Sequence, residues 1–171
     1  DLILSKMKRK HTVLEYKNMI TKVRKIRPEI SITSDFIIGY PGESNTCFEE
    51  TLDLIEQIGF DDGYSFIYSK RPGTPASSEP DDVTIAEKKK RLSLVQNLIR
   101  QNSKKYLSKL VGTNQEVLIE GISKTDSRNL YGRTLTNKTV SFRGNRNLIG
   151  QLVNINITKA NRASLEGTCE I

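Results

Sequence analysis

The hydrophobic period of this 171-residue chain changes once, near Gly112, and that change divides what the chain can fold into. Before it, apolar residues recur every three to four positions in some stretches and run continuously in others. After it they alternate. Helical and strand periods cannot share a segment, so two architectures in series are required.

In the first part, Tyr16, Met19, Ile20, Val23 and Ile26 predict a helix over 12–27, stopped by Pro28. Residues 30–38 read as a strand: Ile30 and Ile32 alternate with polar neighbours, and Phe36-Ile37-Ile38 is a continuous apolar end of the kind buried on both faces. Gly39-Tyr-Pro-Gly-Glu43 is a turn. A second helix over 44–58 has Ser44 as N-cap, Phe48, Leu52, Ile55 and Ile58 on one face, and Gly59 as its stop. Residues 63–68 are a second strand, 69–83 a loop rich in Pro and Ser, and Thr84-Ile-Ala-Glu87 a capping box opening a long third helix to about Leu110. Helix, strand, helix, strand, helix implies parallel strands with crossover helices, hence an α/β sheet or partial barrel. Two strands do not close a barrel, so the sheet is expected to be completed by residues outside this chain. The open edge is expected to promote self-association.

Past Gly112, residues 116–119, 129–134, 139–142, 152–157 and 164–169 are five short strand candidates separated by loops rich in Gly, Asn and Ser. Five such strands suit a small all-β barrel of OB-like size, a class that often binds oligonucleotides. The expected domains are 1–109 and 110–171.

Charge is unevenly distributed. Residues 1–28 carry nine Lys/Arg against two acids, 29–83 two against twelve, 84–109 eight against one, and 110–171 eight against five. The basic stretches suit a polyanionic partner, although Lys-rich helices also serve as ordinary solvated faces. On the barrel, Arg128, Tyr131, Arg133, Lys138, Phe142, Arg143 and Arg146 mix cations with aromatics, which suits gripping phosphate and stacking on bases. Only Cys47 and Cys169 are present, in no metal spacing, and His11 is the one histidine. Neither a zinc site, a disulfide framework nor a His-based catalytic pair follows. A reducing, cytoplasmic setting is the simplest expectation, and no apolar run reaches the length of a membrane span. The absence of an initiator Met at Asp1 is read as a sign of a longer parent chain.

The two loops that follow strands, Gly39–Glu43 and Arg71-Pro-Gly-Thr-Pro-Ala76, lie where parallel α/β folds bind ligands. A Pro-Gly turn alone can be purely structural; two on one edge argue for a site. With their strands, Ser34–Glu43 and Ser65–Ala76 resemble the radical S-adenosylmethionine (SAM) methylthiotransferase family, closest to its MiaB-type tRNA branch. Leu4–Thr12 is similar to the stretch after that family's fourth barrel strand, and 110–171 resembles its RNA-binding TRAM domain. The resemblance runs along the whole chain. It implies methylthiolation of an isopentenyl-adenosine beside the tRNA anticodon, with SAM and two 4Fe-4S clusters as cofactors of the full-length enzyme and the tRNA anticodon stem-loop as partner. It places Asp35, Gly39, Pro41, Gly42 and Glu43 on the SAM-site wall. Tyr68, Ser69 and Arg71 fall at the next strand's edge, facing SAM or RNA. The family's CxxxCxxC motif has no counterpart in these residues, so no catalytic residue, cluster-binding cysteine or bound cofactor is expected in this stretch. Alternatives are the threonylcarbamoyl-adenosine or ribosomal-protein branches, or an RNA-binding module without catalysis.

Overall fold

A computed structural model describes residues 1–124 and 126–169, in two compact units, Asp1–Asn102 and Ser103 onward. The first holds α1 (Leu2–Lys6), α2 (Val13–Ile26), β1 (Thr33–Ile38), α3 (Asn45–Ile58), β2 (Asp62–Ile67) and most of α4 (Ile85–Leu110). Helix ends follow their local chemistry. The Thr12 side chain accepts from the Glu15 N–H while the Glu15 carboxylate accepts from the Thr12 N–H, a reciprocal capping box on α2. Ser44 caps α3 by accepting from the Cys47 N–H, and Gly59 ends it in the left-handed conformation. At α4, Thr84 accepts from the Glu87 N–H at 3.2 Å, but the Glu87 carboxylate turns to Arg91, so the expected box is formed on one side only among the described contacts.

β1 and β2 are parallel, in register from Thr33↔Asp62 to Ile38↔Ile67, with α3 as the crossover. Phe36 and Ile38 point to a core with Ile20, Phe48, Ile55, Ile58, Phe60, Val95 and Ile99. The opposite sheet face is open: Ile37, Tyr64 and Phe66 are 40%, 73% and 54% exposed, and the Tyr64 and Phe66 rings stack 6.4 Å apart. This corrects the expectation of a sheet buried on both faces at Phe36-Ile37-Ile38. The strand also starts at Thr33, so Ile30 and Ile32 precede it. In α2 only Ile20 is fully buried; Met19 and Ile26 of the expected apolar face are exposed.

The second unit is a closed barrel of β3 (Asn114–Ile122), β4 (Asn129–Thr134), β5 (Thr139–Arg143), β6 (Leu152–Ala160) and β7 (Leu165–Thr168), in the order β3-β4-β5-β7-β6. Only the β5–β7 pairing is parallel. Its core is Leu107, Val117, Ile119, Leu130, Val140, Phe142, Ile155, Ile157 and Leu165. The sequence thus yields the expected class, an α/β part followed by a small all-β barrel. No helix of the described residues is long and apolar enough to cross a membrane.

Candidate functional site

The chain leaves β1 through Gly39–Glu43, where Gly39 and Gly42 have φ of 73° and 83°. The turn is held from inside. The Glu43 N–H donates to the Tyr40 carbonyl at 2.9 Å, and the Gly39 N–H donates to Glu43 Oε2 at 2.8 Å. The same carboxylate oxygen receives Arg91 Nη1 at 2.9 Å, both side chains being almost fully buried. Arg91 also donates to the Glu43 carbonyl at 3.1 Å and to Asn45 Oδ1 at 2.6 Å, with its guanidinium over the Phe48 ring. The Glu43 carboxylate is therefore committed to shaping the turn. Lys88 runs under it: a Cβ on Gly39 would lie 2.5 Å from Lys88 Cγ, and the buried Lys88 ammonium pairs with Asp81 at 2.6 Å. Pro41 is buried, and its carbonyl lies 3.5 Å from Lys6 Nζ. Asp35 is exposed on the open sheet face, opposite Tyr64 in register.

β2 ends beside this turn. The Tyr68 N–H donates to the Ile38 carbonyl at 2.8 Å, and the Tyr68 ring meets Tyr40 edge-on at 5.1 Å. The Tyr68 hydroxyl is buried without a hydrogen-bond partner. Tyr40 donates its own hydroxyl to the Lys6 carbonyl at 3.2 Å, and burial, then the neighbouring Glu79 carboxylate, pushes that hydroxyl's pKa up, so it stays a neutral donor. Ser69 and Arg71 are exposed. A cavity of about 730 Å³ opens here, and its lining includes Ile37, Phe66, Tyr68, Ser69, Arg71 and the Lys6–Arg9 segment. Tyr68, Ser69 and Arg71 thus share one cavity, which Asp35, Gly39, Pro41, Gly42 and Glu43 do not line; Asp35 and Glu43 line a second cavity with Arg9 and Ile37.

On the barrel, alternation puts Leu130, Gly132, Thr134, Val140 and Phe142 inside and Tyr131, Arg133, Ser141 and Arg143 outside. Tyr131 lies across β3 at the irregularity between Ile119 and Gly121, where a Cβ on Gly121 would come 3.3 Å from its ring. Two expectations are corrected. Phe142 is 2% exposed, a core residue with no face to offer a base. Lys138 is 8% exposed, with its ammonium 5.2 Å over the Tyr106 ring, so it braces the barrel. Arg128 is exposed but forked onto Asp126 by two hydrogen bonds of 3.0 Å; these bonds, more than any other cause, lower the Asp126 carboxyl pKa. Arg133 is shared between Glu120 at 3.2 Å and Asn137 at 3.0 Å. Arg143 and Arg146 are exposed and form no ion pair among the described residues. The outward set is therefore Arg128, Tyr131, Arg133, Arg143 and Arg146.

Sequence reasoning missed Lys88 and Arg91, which sit in a run of four consecutive cations that resembles a solvated face. Their positions carry a signal nonetheless: 88, 91, 95 and 99 share one helical stripe, with Val95 and Ile99 in the core. Among the described residues no group of three or more His, Cys, Asp or Glu is placed to hold a metal ion.

Residues 108–169 match the TRAM domain family. Over 168 residues, 98% of this chain, it is 52% identical to a protein of Buchnera aphidicola subsp. Baizongia pistaciae, covering 38% of that protein. It is 52% identical over 167 residues to one of Histophilus somni and 50% identical over 167 residues to one of Francisella tularensis subsp. novicida, covering 35% and 38% of them. All three carry the name tRNA-2-methylthio-N(6)-dimethylallyladenosine synthase. The chain spans little more than a third of the length of these curated relatives, matching their C-terminal part.

Proposed function

We propose that this chain belongs to the tRNA methylthiotransferase family and works as the C-terminal part of an enzyme that methylthiolates isopentenyl-adenosine beside the anticodon. The observation that carries the reading is about 50% identity over 98% of the chain to synthases of that name. The geometry is compatible with it: two loops converge at the carboxyl ends of parallel strands, and the TRAM barrel turns an aromatic and several arginines outward.

The residues present fit part of a SAM site. The open sheet face offers Ile37 and Phe66 as a flat apolar floor, and the Gly39–Glu43 turn is braced from behind by Arg91 and Lys88. In this proposal Asp35, Gly39, Pro41 and Gly42 contribute wall, while Glu43 keeps the turn in shape. Bound SAM would supply radical initiation and a methyl group. The residues do not fit an iron–sulfur cluster: Cys47 lies on α3 and Cys169 follows β7, and no three-ligand group exists among the described residues. Cluster ligation is therefore assigned to polypeptide outside these 171 residues. What the chain itself does is hold the wall rigid and bind RNA phosphate and base through the barrel. The setting proposed is cytoplasmic.

The test is anaerobic reconstitution of the full-length protein, followed by incubation with SAM and an anticodon stem-loop carrying isopentenyl-adenosine. A 2-methylthio product in nucleoside mass spectrometry is expected. A methylthiolated peptide, or product only from threonylcarbamoyl-adenosine RNA, would overturn the substrate assignment.

A further inference from the structure

The cavity at the strand ends carries more positive charge than its own surroundings balance. Of the cations that line it, Lys6 is paired with Glu79 at 2.7 Å. Lys8, Arg9 and Arg71 line it too, and none has an ion pair among the described residues. Ile37, Phe66 and Tyr68 line the same cavity. Three exposed cations beside an apolar floor are available to an anionic ligand.

The backbone gives a second, independent indication. Helix α1 ends in a Schellman turn: the Lys8 N–H donates to the Ser5 carbonyl and the Arg9 N–H to the Leu4 carbonyl, each at 2.9 Å. The left-handed position of that turn ordinarily belongs to Gly or Asn, yet here it is Lys8, with φ of 56°. A lysine at a position where glycine would be easier points to a use for its side chain. The turn also fixes the directions in which Lys8 and Arg9 leave the chain.

The charge separates two candidate ligands. SAM carries a sulfonium and an ammonium against one carboxylate, so the three rim cations gain nothing from it. A ribonucleotide strand carries a phosphate at every residue, which the rim can grip while the Ile37 and Phe66 floor is left to the cofactor. We propose that Lys8, Arg9 and Arg71 form an RNA phosphate clamp at the rim of this cavity, distinct from the barrel's arginines, which holds the single-stranded segment next to the base being modified. This rests on the reading that the protein acts on RNA, and it moves Arg71 from the cofactor to the RNA.

The test uses full-length protein with a labelled unmodified anticodon stem-loop and, separately, SAM alone in equilibrium dialysis. Lys8→Gln/Arg9→Gln/Arg71→Gln is expected to weaken RNA binding at least about tenfold at low salt, and to reduce the log–log salt slope by about 2, three single-strand contacts at about 0.7 each. SAM affinity should stay within about twofold, since the clamp makes no favourable contact with a cationic ligand. Lys8→Gly keeps the problem of misfolding apart: it relieves the left-handed strain, so thermal stability should hold or rise while RNA affinity falls. Loss of SAM affinity with RNA binding unchanged, or no change in either, overturns the clamp while leaving the proposed function intact. No RNA binding by the unsubstituted protein overturns both.

Discussion

Replacing Arg91 with Met removes one partner of a buried ion pair and leaves the other in place. Glu43 and Arg91 meet at 2.9 Å with side chains 3% and 4% exposed. Without Arg91 the Glu43 carboxylate keeps only the Gly39 N–H among its described donors, and Asn45 loses its 2.6 Å partner. An uncompensated buried charge of this kind costs about 3–5 kcal/mol. Arg91→Met should therefore destabilise the α/β unit by about that amount, and Glu43→Gln by less, because Arg91 then keeps the Glu87 carboxylate at 3.3 Å and the Glu43 carbonyl and Asn45 as acceptors. The double substitution should cost less than the two together, with a coupling of about 1–3 kcal/mol. Urea unfolding followed by circular dichroism, fitted with separate transitions for the two units, measures all three. A cost below about 1 kcal/mol for Arg91→Met, or strict additivity, would refute the claim that this pair holds the turn.

Further expectations concern other parts of the molecule. Gly39→Ala should destabilise by more than about 1 kcal/mol, because φ is 73° and the new Cβ would fall 2.5 Å from Lys88 Cγ; thermal melting of the variant checks it. Phe142→Ala should cost about 3–5 kcal/mol as a core truncation, whereas Arg143→Ala/Arg146→Ala should leave the melting temperature alone and weaken stem-loop binding in filter assays. The Glu15 carboxyl pKa is lowered, first by the Thr12 backbone N–H and then by its side chain. Its contribution is therefore present above the unfolded carboxyl pKa and is lost as pH falls through the folded one; Thr12→Val should raise the Glu15 titration midpoint in carboxyl NMR. The outer edges of β1 and β2 are unpaired among the described residues, so the 171-residue chain by itself should self-associate with rising concentration in light scattering.

Much of this was legible from local signals, because caps, stops and turns are written in single residues. Thr12, Ser44 and Gly59 mark helix ends where the structure has them, and β4 runs over 129–134 as read from alternation. What depends on tertiary context was less legible. Ile37 belongs to an apolar run, yet exposure was decided by what covers the second sheet face, and nothing in the described residues does. Lys138 and Phe142 looked like a cation and an aromatic available to RNA, but Phe142 packs in the barrel core and Lys138 is covered against the Tyr106 ring. For Phe142 the clue was parity: residues 140 and 142 alternate with the outward Ser141 and Arg143. The candidate site was found as two loops on one edge, while its bracing by Lys88 and Arg91 was hidden in a charge run. The imbalance that singles out Lys8, Arg9 and Arg71 needs the fold, since only the fold shows which acids reach which cations.

The most direct measurement of the central claim is nucleoside mass spectrometry of tRNA from cells in which the gene carrying this chain is deleted, then restored. The account predicts that 2-methylthio-N6-dimethylallyladenosine disappears and N6-dimethylallyladenosine accumulates. The intact gene should restore the methylthio group, and an allele lacking three of the outward barrel arginines, Arg133, Arg143 and Arg146, should restore it only in part. Unchanged tRNA modification in the deleted cells would contradict the account.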